Sequence, residues 1–561
     1  MKVIIIGGVA AGMSAAARLR RLDESAEITV YEMSEHVSYA NCGLPYFVSD
    51  VISKRDALLL QTPTALWNRF RIRAEVRSQV LSIDRAAKTV KVKNLVSGEN
   101  FDDSYDKLVI STGARPRRLA VPGIERAMWL RNVTDADDVK AALLARAESD
   151  TQVKSVAILG AGFIGIELAE NIRHMGIDVT IIQRSGNILG QFDPEMVQPL
   201  HERLEKHGVG IELNCQADHI TDSEVVLTDG RRIDAGLVFT AAGVDPDNAL
   251  ARAAGLKIGA TGGLWVDDQQ RTSDPDIFAA GDAVEKNGVL TGDQTLVPLA
   301  NLANRHGRLV ADVIAGREVR AHAAVGTVIL GAFGFAVGIT GLSERAAIKA
   351  GIPHQVIHVH PNSHAGYYPG AHRVSLKVLF DPSTGQILGA QANGEDGVDK
   401  RIDVIATAMH SSSGVGRSGL TIDDLMDLEL AYAPQFGSAK DAINIAGYVG
   451  NNVFNGTTPT LQWHELESAR AAGAQIIDVR SGSEHGNGHI PGTLNIPVEE
   501  LRDRLDEVQL ENVVVYCQVG QRGHIATQIL KANGASVRNL DGGYVTWSAG
   551  EKSAHGQQFG H

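Results

Sequence analysis

Two cysteines lie in segments whose neighbouring residues suit thiol chemistry. Cys42 stands in the run Ser38–Tyr46, which begins six residues past Glu32. Cys517 opens the six-residue run Cys517–Arg522, between an apolar segment and a predicted helix. Backbone N–H groups in such a turn, together with a helix N-terminus, lower a thiol pKa and stabilise an anionic persulfide. The two segments therefore indicate two different reactive thiols on one chain.

The remaining cysteine, Cys215, has no comparable surroundings, and we interpret it as structural. Three cysteines without C-x-x-C spacing cannot form a disulfide framework, which predicts a reducing, cytoplasmic compartment. The N-terminal run Met1–Gly7 is typical of a buried strand rather than of a signal peptide. The sequence contains no run of about 18 apolar residues, so no membrane-spanning helix is expected.

Length and charge limit the classes of protein that the chain can belong to. Its 561 residues exceed what one core serves, so roughly three or four domains are expected. The net charge of −13 argues against a nucleic-acid partner. We therefore expect a soluble multidomain α/β protein that acts on small molecules.

The chain begins with a dinucleotide-binding pattern. An apolar strand leads into the turn Gly7-Gly8-Val9-Ala10-Ala11-Gly12, a helix follows, and a second strand delivers Glu32. Glycines let backbone N–H groups approach a pyrophosphate at a helix N-terminus, and an acid at this position accepts from ribose hydroxyls. Val9 replaces the middle glycine, so the prediction depends on Glu32 and on the order of the elements.

The pattern occurs a second time. A strand at 156–159 runs into Gly160-Ala161-Gly162-Phe163-Ile164-Gly165, a full G-x-G-x-x-G, with a helix behind it. The repeat predicts a second dinucleotide in a second domain. The following strand ends at Gln183-Arg184 instead of an acid. Because an Arg can accept a 2′-phosphate, whereas an acid favours NADH, the choice between NADH and NADPH stays open.

Further motifs join these two patterns into a known order. They are Ser111-Thr112-Gly113, the turn at Gly243 and the segment 272–283, which contains Gly281 and Asp282. Over about residues 1–447 the sequence closely resembles the two-dinucleotide-binding flavoprotein disulfide reductases. The resemblance implies FAD in a first, discontinuous domain, NADH or NADPH in the second, and a homodimer. By it, Asp282 reaches the ribityl and phosphate region of FAD.

A separate small α/β unit follows from residue 460. Four segments, 476–480, 488–497, 513–522 and 541–544, resemble the rhodanese domain in the right order. The whole chain is thus predicted to be α/β, with two Rossmann-like domains, an α+β dimerisation domain and a C-terminal rhodanese domain. The predicted limits are 1–112 with 250–322 for FAD, 113–249 for NAD(P)H, 323–447 for dimerisation, 448–459 for a linker and 460–550 for rhodanese. Residues 550–561 are expected to be disordered.

Cys42 has no second cysteine nearby, unlike most members of the broad family. Electrons must then reach it while it is bound to an external group, as a mixed disulfide, persulfide or sulfenic acid. The run Asn41–Tyr46, preceded by Ser38, resembles the coenzyme A-disulfide reductase branch, which includes persulfide reductases and NADH oxidases or peroxidases. With the rhodanese unit, the resemblance implies an NAD(P)H-dependent persulfide, polysulfide or coenzyme A-disulfide reductase that releases hydrogen sulfide or a free thiol.

The resemblance also assigns roles to individual residues. Tyr432, from the partner subunit, and either Tyr367 or Tyr368 would approach the thiol, where a phenolic O–H can supply a proton to a departing sulfur. Arg522 would bind an anionic donor at Cys517. The expected FAD contacts are Gly7, Gly8, Ala10, Ala11, Gly12, Glu32, Thr112, Gly113, Gly281, Asp282 and Ala300. The expected NAD(P)H contacts are Gly160, Gly162, Ile164, Gly165, Arg184 and Gly243, and the expected coenzyme A contacts are Arg18, Arg21, Ser38, Asn41, Gln61 and Thr62.

Two other functions stay open. Cys42 could cycle through a sulfenic acid in an oxidase or peroxidase, or the protein could chiefly transfer or sense sulfur. The rhodanese unit and the Arg-rich first helix favour the persulfide interpretation. No metal site is expected, and His358 and His360, which alternate on one strand, are interpreted as surface residues.

Overall fold

The computed structural model describes residues 1–145, 153–410 and 419–555. The chain divides into two compact units. The first comprises 1–184, 208–211 and 215–324, and the second comprises 185–207, 212–214 and 325–561. In the described residues, no helix is both long enough and apolar enough to cross a membrane.

The first unit contains a five-stranded parallel sheet built on the N-terminal strand. Its apolar residues, Val3 to Ile6, are buried, as expected for a strand covered on both faces. In spatial order the strands are Ile277–Ala279, Lys107–Ile110, Lys2–Ile6, Glu27–Tyr31 and Ile72–Glu75. Helices Ala10–Leu22 and Ala300–Ile314 pack against each other and contribute to its core, and helices Leu44–Val48, Pro63–Phe70 and Ala249–Ala253 belong to the same unit.

A four-stranded sheet carries the second fingerprint. Its order is Val209–Glu212, Asp178–Ile182, Ser155–Leu159 and Leu237–Thr240, with helices Val133–Ala145 and Phe163–His174 nearby in the chain. The smaller sheets are Ser78–Asp84 with Thr89–Asn94 and Asn100–Ser104; Ala217–Ile220 with Glu224–Leu227 and Arg232–Asp234; Ala114–Pro116 with Val244–Pro246; and Lys286–Asn287 with Gln294–Thr295.

The second unit contains an antiparallel and a parallel sheet. The antiparallel order is Val328–Ala332, Phe335–Gly341, Ile387–Gly394, Val374–Phe380 and Gln355–Val359, with helices Pro194–Lys206, Glu344–Ala350, Val398–His410 and Ala442–Phe454. The parallel order is Thr460–Leu461, Val537–Leu540, Val513–Tyr516, Gln475–Asp478 and Leu494–Asn495, with helices Leu466–Ala471, Gly482–Gly486, Gln521–Ala532 and Gly543–His555. All seven residues of Val374–Phe380 are buried, including Lys377.

The mixed α/β class, with parallel strand pairs in the sheets of both fingerprints and in the C-terminal sheet, agrees with the sequence prediction, whereas two local predictions need correction. Helix Ala442–Phe454, which starts with a capping box at Asp441, continues through the first half of the predicted linker. Helix Gly543–His555 likewise continues through residues predicted to be disordered, because Gly550 packs on the Trp463 ring. Residues 556–561 lie outside the described part of the chain.

Candidate active sites

The first fingerprint folds as a tight cradle between strand and helix. Gly7 has a φ of +99°, which favours glycine, and a Cβ on Gly12 would lie 2.0 Å from the Gly7 carbonyl oxygen. The Ser111 hydroxyl lies 2.8 Å from the Ile6 carbonyl and 2.9 Å from that of Gly7, which holds the neighbouring strand end against the turn. The backbone is thereby exposed where a pyrophosphate would bind.

Glu32 is fixed at the end of the second strand. Its carboxylate accepts hydrogen bonds of 2.8 Å from the backbone N–H groups of Gly8 and Ser34. A cavity of about 710 Å³ opens beside it. Of the residues predicted to contact FAD, those lining the cavity are Gly7, Ala10, Ala11, Glu32, Thr112, Gly113, Gly281 and Asp282. The glycine cradle, the acid and this volume fit an adenine dinucleotide.

The other predicted FAD residues, Gly8, Gly12 and Ala300, are not among the residues that line this cavity. Gly8 donates to Glu32, Gly12 packs under the turn, and Ala300 opens helix Ala300–Ile314. Burial raises the pKa of Asp282, although the charges of Arg131 and Lys286 act in the opposite sense. Burial also lowers the pKa of Lys286 to about 8. Asp282 lines the cavity, and the Lys286 amine donates to the carbonyl oxygen of the neighbouring Gly281 at 2.9 Å.

The second fingerprint repeats the geometry of the first. Gly160 has a φ of +115°, and a Cβ on Gly165 would lie 2.1 Å from the Gly160 carbonyl oxygen. Gly162 precedes the helix, Ile164 is exposed in its first turn, and Gly243 has a φ of +95° after the neighbouring strand. The exposed Arg184 follows strand Asp178–Ile182. These positions fit a nicotinamide dinucleotide by the same physics.

Cys42 lies in the short 3₁₀ turn Asn41–Gly43, directly before helix Leu44–Val48. The side chain is exposed, and none of the three cysteines, all of which are described, is in a disulfide. Partial desolvation by the surrounding protein, followed by the charges of Glu167 and Asp282, raises the pKa of its thiol. Because a raised pKa disfavours the reactive thiolate, Cys42 becomes a good nucleophile only when a group binds beside it or a neighbouring charge changes.

Glu167 is a site residue that the sequence reasoning left without a role. It lies in the helix of the second fingerprint, two residues after Gly165, and its Oε1 is 3.5 Å from the Tyr46 hydroxyl. Burial raises the pKa of Glu167 to about 7, and burial with the Glu167 charge raises the pKa of Tyr46 to about 12. This carboxyl can hold or release a proton near neutral pH beside Cys42.

The residues expected to contact coenzyme A are only partly available. Arg18 pairs with Asp312 at 2.7 Å, and the Thr62 hydroxyl caps helix Pro63–Phe70 through the Ala65 N–H at 3.1 Å. Arg21 is exposed, with its guanidinium 5.5 Å from the Phe70 ring centroid. Ser38, Asn41 and Gln61 are each partly exposed, and the first two lie within four residues of Cys42 in the chain. Arg18 and Thr62 therefore have structural partners that the sequence did not reveal.

The tyrosines form a pair in the second unit. The hydroxyls of Tyr367 and Tyr432 are 3.1 Å apart within one chain, and both side chains are exposed. The ring of Tyr368 instead meets His364 edge-on, with the centroids 5.7 Å apart. The hydrogen bond to Tyr432 raises the pKa of Tyr367. Tyr367 is thus the one of the two candidates that contacts Tyr432.

The Cys517 loop is held from both sides. Cys517 is buried at the end of strand Val513–Tyr516, and its sulfur accepts the Gly520 N–H at 3.2 Å. The Tyr544 N–H donates to the Cys517 carbonyl at 2.8 Å, across the glycine turn that follows Asp541. A Cβ on Gly543 would lie 2.3 Å from that carbonyl, so the turn requires glycine. The loop is therefore preorganised around the Cys517 sulfur.

Both arginines of this loop region are paired with carboxylates. Arg522 binds Glu484 through two hydrogen bonds of 2.7 and 2.6 Å. Arg480 binds Asp478 at 2.7 Å and donates to the Gln518 amide oxygen at 3.0 Å. The hydrogen bonds of Arg522, and then of Ser481, lower the pKa of Glu484 to about 2. The sequence showed Arg522 but not its partner.

A buried charge cluster lies at His358, which corrects its interpretation as a surface residue. His358 is 2 % exposed, and its Nδ1 is 2.6 Å from Asp541 Oδ2. The half-buried His360 contacts the Thr546 hydroxyl at 2.8 Å. Asp541 and Thr546 lie in the part of the second unit that follows residue 460. This C-terminal part therefore covers residues 358–360, which the sequence predicts to be exposed.

The cluster continues to Lys377. Its Nζ is 2.8 Å from Asp193, 2.5 Å from Glu195 and 2.6 Å from Glu344. In the part of the chain that the structure describes, these three carboxylates are the one set close enough to hold a metal ion. The lysine ammonium contacts all three, so the cluster is an ion-pair network.

Family models match three successive stretches of the chain. Residues 1–307 match the pyridine nucleotide-disulphide oxidoreductase model, 331–442 match that family's dimerisation domain, and 462–550 match the rhodanese-like domain. The chain therefore belongs to the pyridine nucleotide-disulphide oxidoreductase family, and it carries a rhodanese-like domain at its C-terminal end. It is a flavin-dependent oxidoreductase of the class that takes FAD and NAD(P)H.

Individual relatives place the chain within that family. Coenzyme A disulfide reductase of Staphylococcus epidermidis is 31% identical over 448 residues, which cover 80% of this chain and 99% of that protein. The crystal structure of reduced Bacillus anthracis CoADR-RHD is 40% identical with a TM-score of 0.95, covering 99% of this chain and 98% of that one. An NAD-dependent persulfide reductase from A. fulgidus is 33% identical with a TM-score of 0.89, covering 98% of this chain and 100% of that one.

Proposed function

We propose that the protein is an NAD(P)H-dependent reductase of coenzyme A persulfide or polysulfide, and of coenzyme A disulfide, coupled to rhodanese-type sulfur transfer. The observation that carries the proposal is that one chain holds an isolated thiol, Cys42, and a second thiol, Cys517, whose sulfur accepts a backbone hydrogen bond from Gly520. Cys215, the remaining cysteine, is buried in an apolar cluster. Since Cys42 has no dithiol partner, it must react with an external sulfur species.

The overall reaction balances without a further oxidant. A persulfide R–S–SH takes two electrons and two protons, its S–S bond breaks, and R–SH and H₂S are released. NAD(P)H supplies the electrons through the bound FAD. The chain's own residues position the sulfur: Cys42 holds one sulfur as a mixed disulfide or persulfide, and Glu167 holds a proton near it.

We assign the supply of a proton to the leaving sulfur to two tyrosines, Tyr367 and Tyr432. Tyr367 and Tyr432 share a hydrogen bond and are exposed, so a phenolic O–H can serve a sulfur that approaches from outside this chain. We assign them to a site completed by a second subunit, which the dimerisation domain favours. The proposed assembly is accordingly a homodimer, and the proposed location is the cytoplasm, where thiols stay reduced.

For the coenzyme A end of the substrate we propose Arg21 as the phosphate contact. Arg18 is bound to Asp312, whereas Arg21 is exposed on the same helix with its guanidinium over the Phe70 ring. Ser38, Asn41 and Gln61 would line the approach to Cys42. Arg184 would face the ribose end of the nicotinamide dinucleotide, where a 2′-phosphate is present in NADPH alone.

The test is anaerobic reduction of the full-length enzyme by NADH or NADPH, followed by rapid mixing with coenzyme A persulfide, coenzyme A disulfide or hydrogen peroxide. We expect fast flavin reoxidation and hydrogen sulfide release with the persulfide. Cys42→Ser should lose both, because no other cysteine of its unit is exposed. The matched control, Cys215→Ala, should keep both.

Three outcomes would contradict the proposal. Reoxidation by peroxide or air alone would move the protein to the oxidase or peroxidase class. With a sulfane donor in place of preformed persulfide, unchanged turnover in Cys517→Ser would remove sulfur transfer from the cycle. Turnover that needs Cys517 but not the flavin would identify the protein as a sulfurtransferase or a sulfur sensor instead.

A further inference from the structure

We propose that Glu484 determines which sulfur donors Cys517 accepts: it disfavours small dianionic donors such as thiosulfate and favours donors with a single negative charge at the sulfane end, such as a thiol persulfide. The inference rests on the proposed function, in which Cys517 carries sulfane sulfur, and it names the donor class of that site.

The first step is the pairing of the loop's one cationic side chain. Within the run Cys517–Arg522, Arg522 alone is basic, and Glu484 contacts both of its terminal nitrogens at 2.7 and 2.6 Å. Two parallel hydrogen bonds between a guanidinium and a carboxylate form a strong, geometrically specific pair. A donor that reaches Cys517 therefore meets a neutralised arginine rather than an open cation.

The pair is held in place before any donor arrives. Glu484 Oε2 also accepts from the Ser481 N–H at 3.1 Å and from the Ser481 hydroxyl at 3.0 Å. These contacts form a capping box at the start of helix Gly482–Gly486. Because the carboxylate is anchored to the backbone, a competing anion cannot displace it without breaking the cap.

A second arginine beside the loop is also paired with a carboxylate. Arg480, the other arginine at the loop, is paired with Asp478 in a buried contact of 2.7 Å. The charge of the exposed Glu499 also acts on Arg522, together with those of Cys517 and Glu484. The groups that stabilise an anion at Cys517 are therefore backbone N–H groups, such as that of Gly520. Such groups suit a single sulfur anion.

The chemistry turns this charge arrangement into selectivity. The Cys517 thiolate attacks the outer sulfur of the donor, the donor's S–S bond breaks, and the leaving group departs with the electron pair. A persulfide R–S–S⁻ leaves the thiolate R–S⁻, whereas thiosulfate leaves the sulfite dianion. Thiosulfate thus brings one additional negative charge beside Glu484, which costs about tenfold in rate at the effective dielectric of a protein surface.

The experiment measures thiocyanate formation by the full-length holoenzyme with cyanide as acceptor. Thiosulfate is compared with benzenethiosulfonate, a monoanionic donor that transfers sulfur by the same bond cleavage. In Glu484→Gln, the glutamine can still cap the helix and accept from Arg522, but the charge is gone. We expect the ratio of kcat/KM for thiosulfate to kcat/KM for benzenethiosulfonate to rise about tenfold, because the two donors differ by one negative charge.

Glu467→Gln is the matched control, because it removes the same charge from the same domain at a carboxylate that pairs with Arg470 instead. Its donor ratio should equal that of the wild type. A second measurement needs no variant: added salt should raise wild-type activity with thiosulfate relative to benzenethiosulfonate, since salt screens the repulsion.

The inference is overturned if Glu484→Gln leaves the donor ratio unchanged, if salt leaves it unchanged, or if the wild type transfers no sulfur from benzenethiosulfonate. This assay uses neither NAD(P)H nor Cys42. Failure of the proposed reductase would instead appear as absent flavin reoxidation by coenzyme A persulfide, so the two failures are distinguishable.

Discussion

His358 should make the second unit less stable as the pH rises from about 6.5 to about 9. Burial, the largest influence, lowers the pKa of His358, but the hydrogen bond and charge of Asp541, with the hydrogen bond to Glu195, outweigh it and raise the pKa from 6.5 to about 9. A raised histidine pKa stabilises the folded state fully below pH 6.5, and that contribution is lost as the pH passes the folded value.

The expected magnitude follows from this difference. The two pKa values, 6.5 unfolded and about 9 folded, differ by about 2.5 pH units. At about 1.4 kcal/mol per pH unit, the protonated histidine contributes about 3 kcal/mol. His358 is fully buried, so solvent screening does not reduce this figure. For a cooperative unit of this size the effect corresponds to a melting shift of at least about 5 °C.

Calorimetry of the full-length holoenzyme at about pH 6 and about pH 9.5 tests this, using the wild type and His358→Gln. The wild-type advantage over the variant should be about 3 kcal/mol larger at the lower pH. Taking the difference between the two proteins removes the titration of other groups. His354→Gln, which loses a contact to the Ile352 carbonyl on the same segment, is the control. An equal pH dependence in the wild type and His358→Gln would refute the reasoning.

Two further predictions concern the first unit. Gly12→Val should lower flavin retention, measured as visible absorbance per protein. The new Cβ would lie 2.0 Å from the Gly7 carbonyl oxygen, and moving that backbone aside costs roughly 1–3 kcal/mol. Full retention would contradict the role of the glycine cradle. Glu167→Gln should shift the pH midpoint for alkylation of Cys42 downward and speed alkylation at neutral pH, since the Glu167 charge, after burial, raises the thiol pKa. An unchanged or higher midpoint would exclude that coupling.

The sequence was sufficient where the signal is local. The glycine turns at Gly7 and Gly160 sit between strand and helix as predicted, and in both a later glycine packs on the first glycine's carbonyl. The α/β class is confirmed, because continuous apolar runs, fingerprints and acids follow each other within short stretches. The strand acid Glu32 is likewise where the spacing placed it, bonded to the Gly8 N–H.

The sequence was insufficient where a partner lies far away in the chain. Arg18 meets Asp312 across 294 residues, and His358 meets Asp541 across 183. An alternating pattern predicts one exposed face, but it does not show what covers that face. Glu484 and Arg522 are 38 residues apart, and only the fold reveals that the loop's cation is already neutralised.

The Lys377 cluster also constrains the order in which segments can pack while the chain is synthesised from its N-terminus. Asp193 and Glu195 are synthesised about 180 residues before the lysine that they surround. Buried carboxylates without a cation are strongly unfavourable, so helix Pro194–Lys206 cannot dock finally until Lys377 has emerged. Asp541 arrives last and completes the contact at His358. This part of the enzyme can therefore close only after residue 541 has been synthesised.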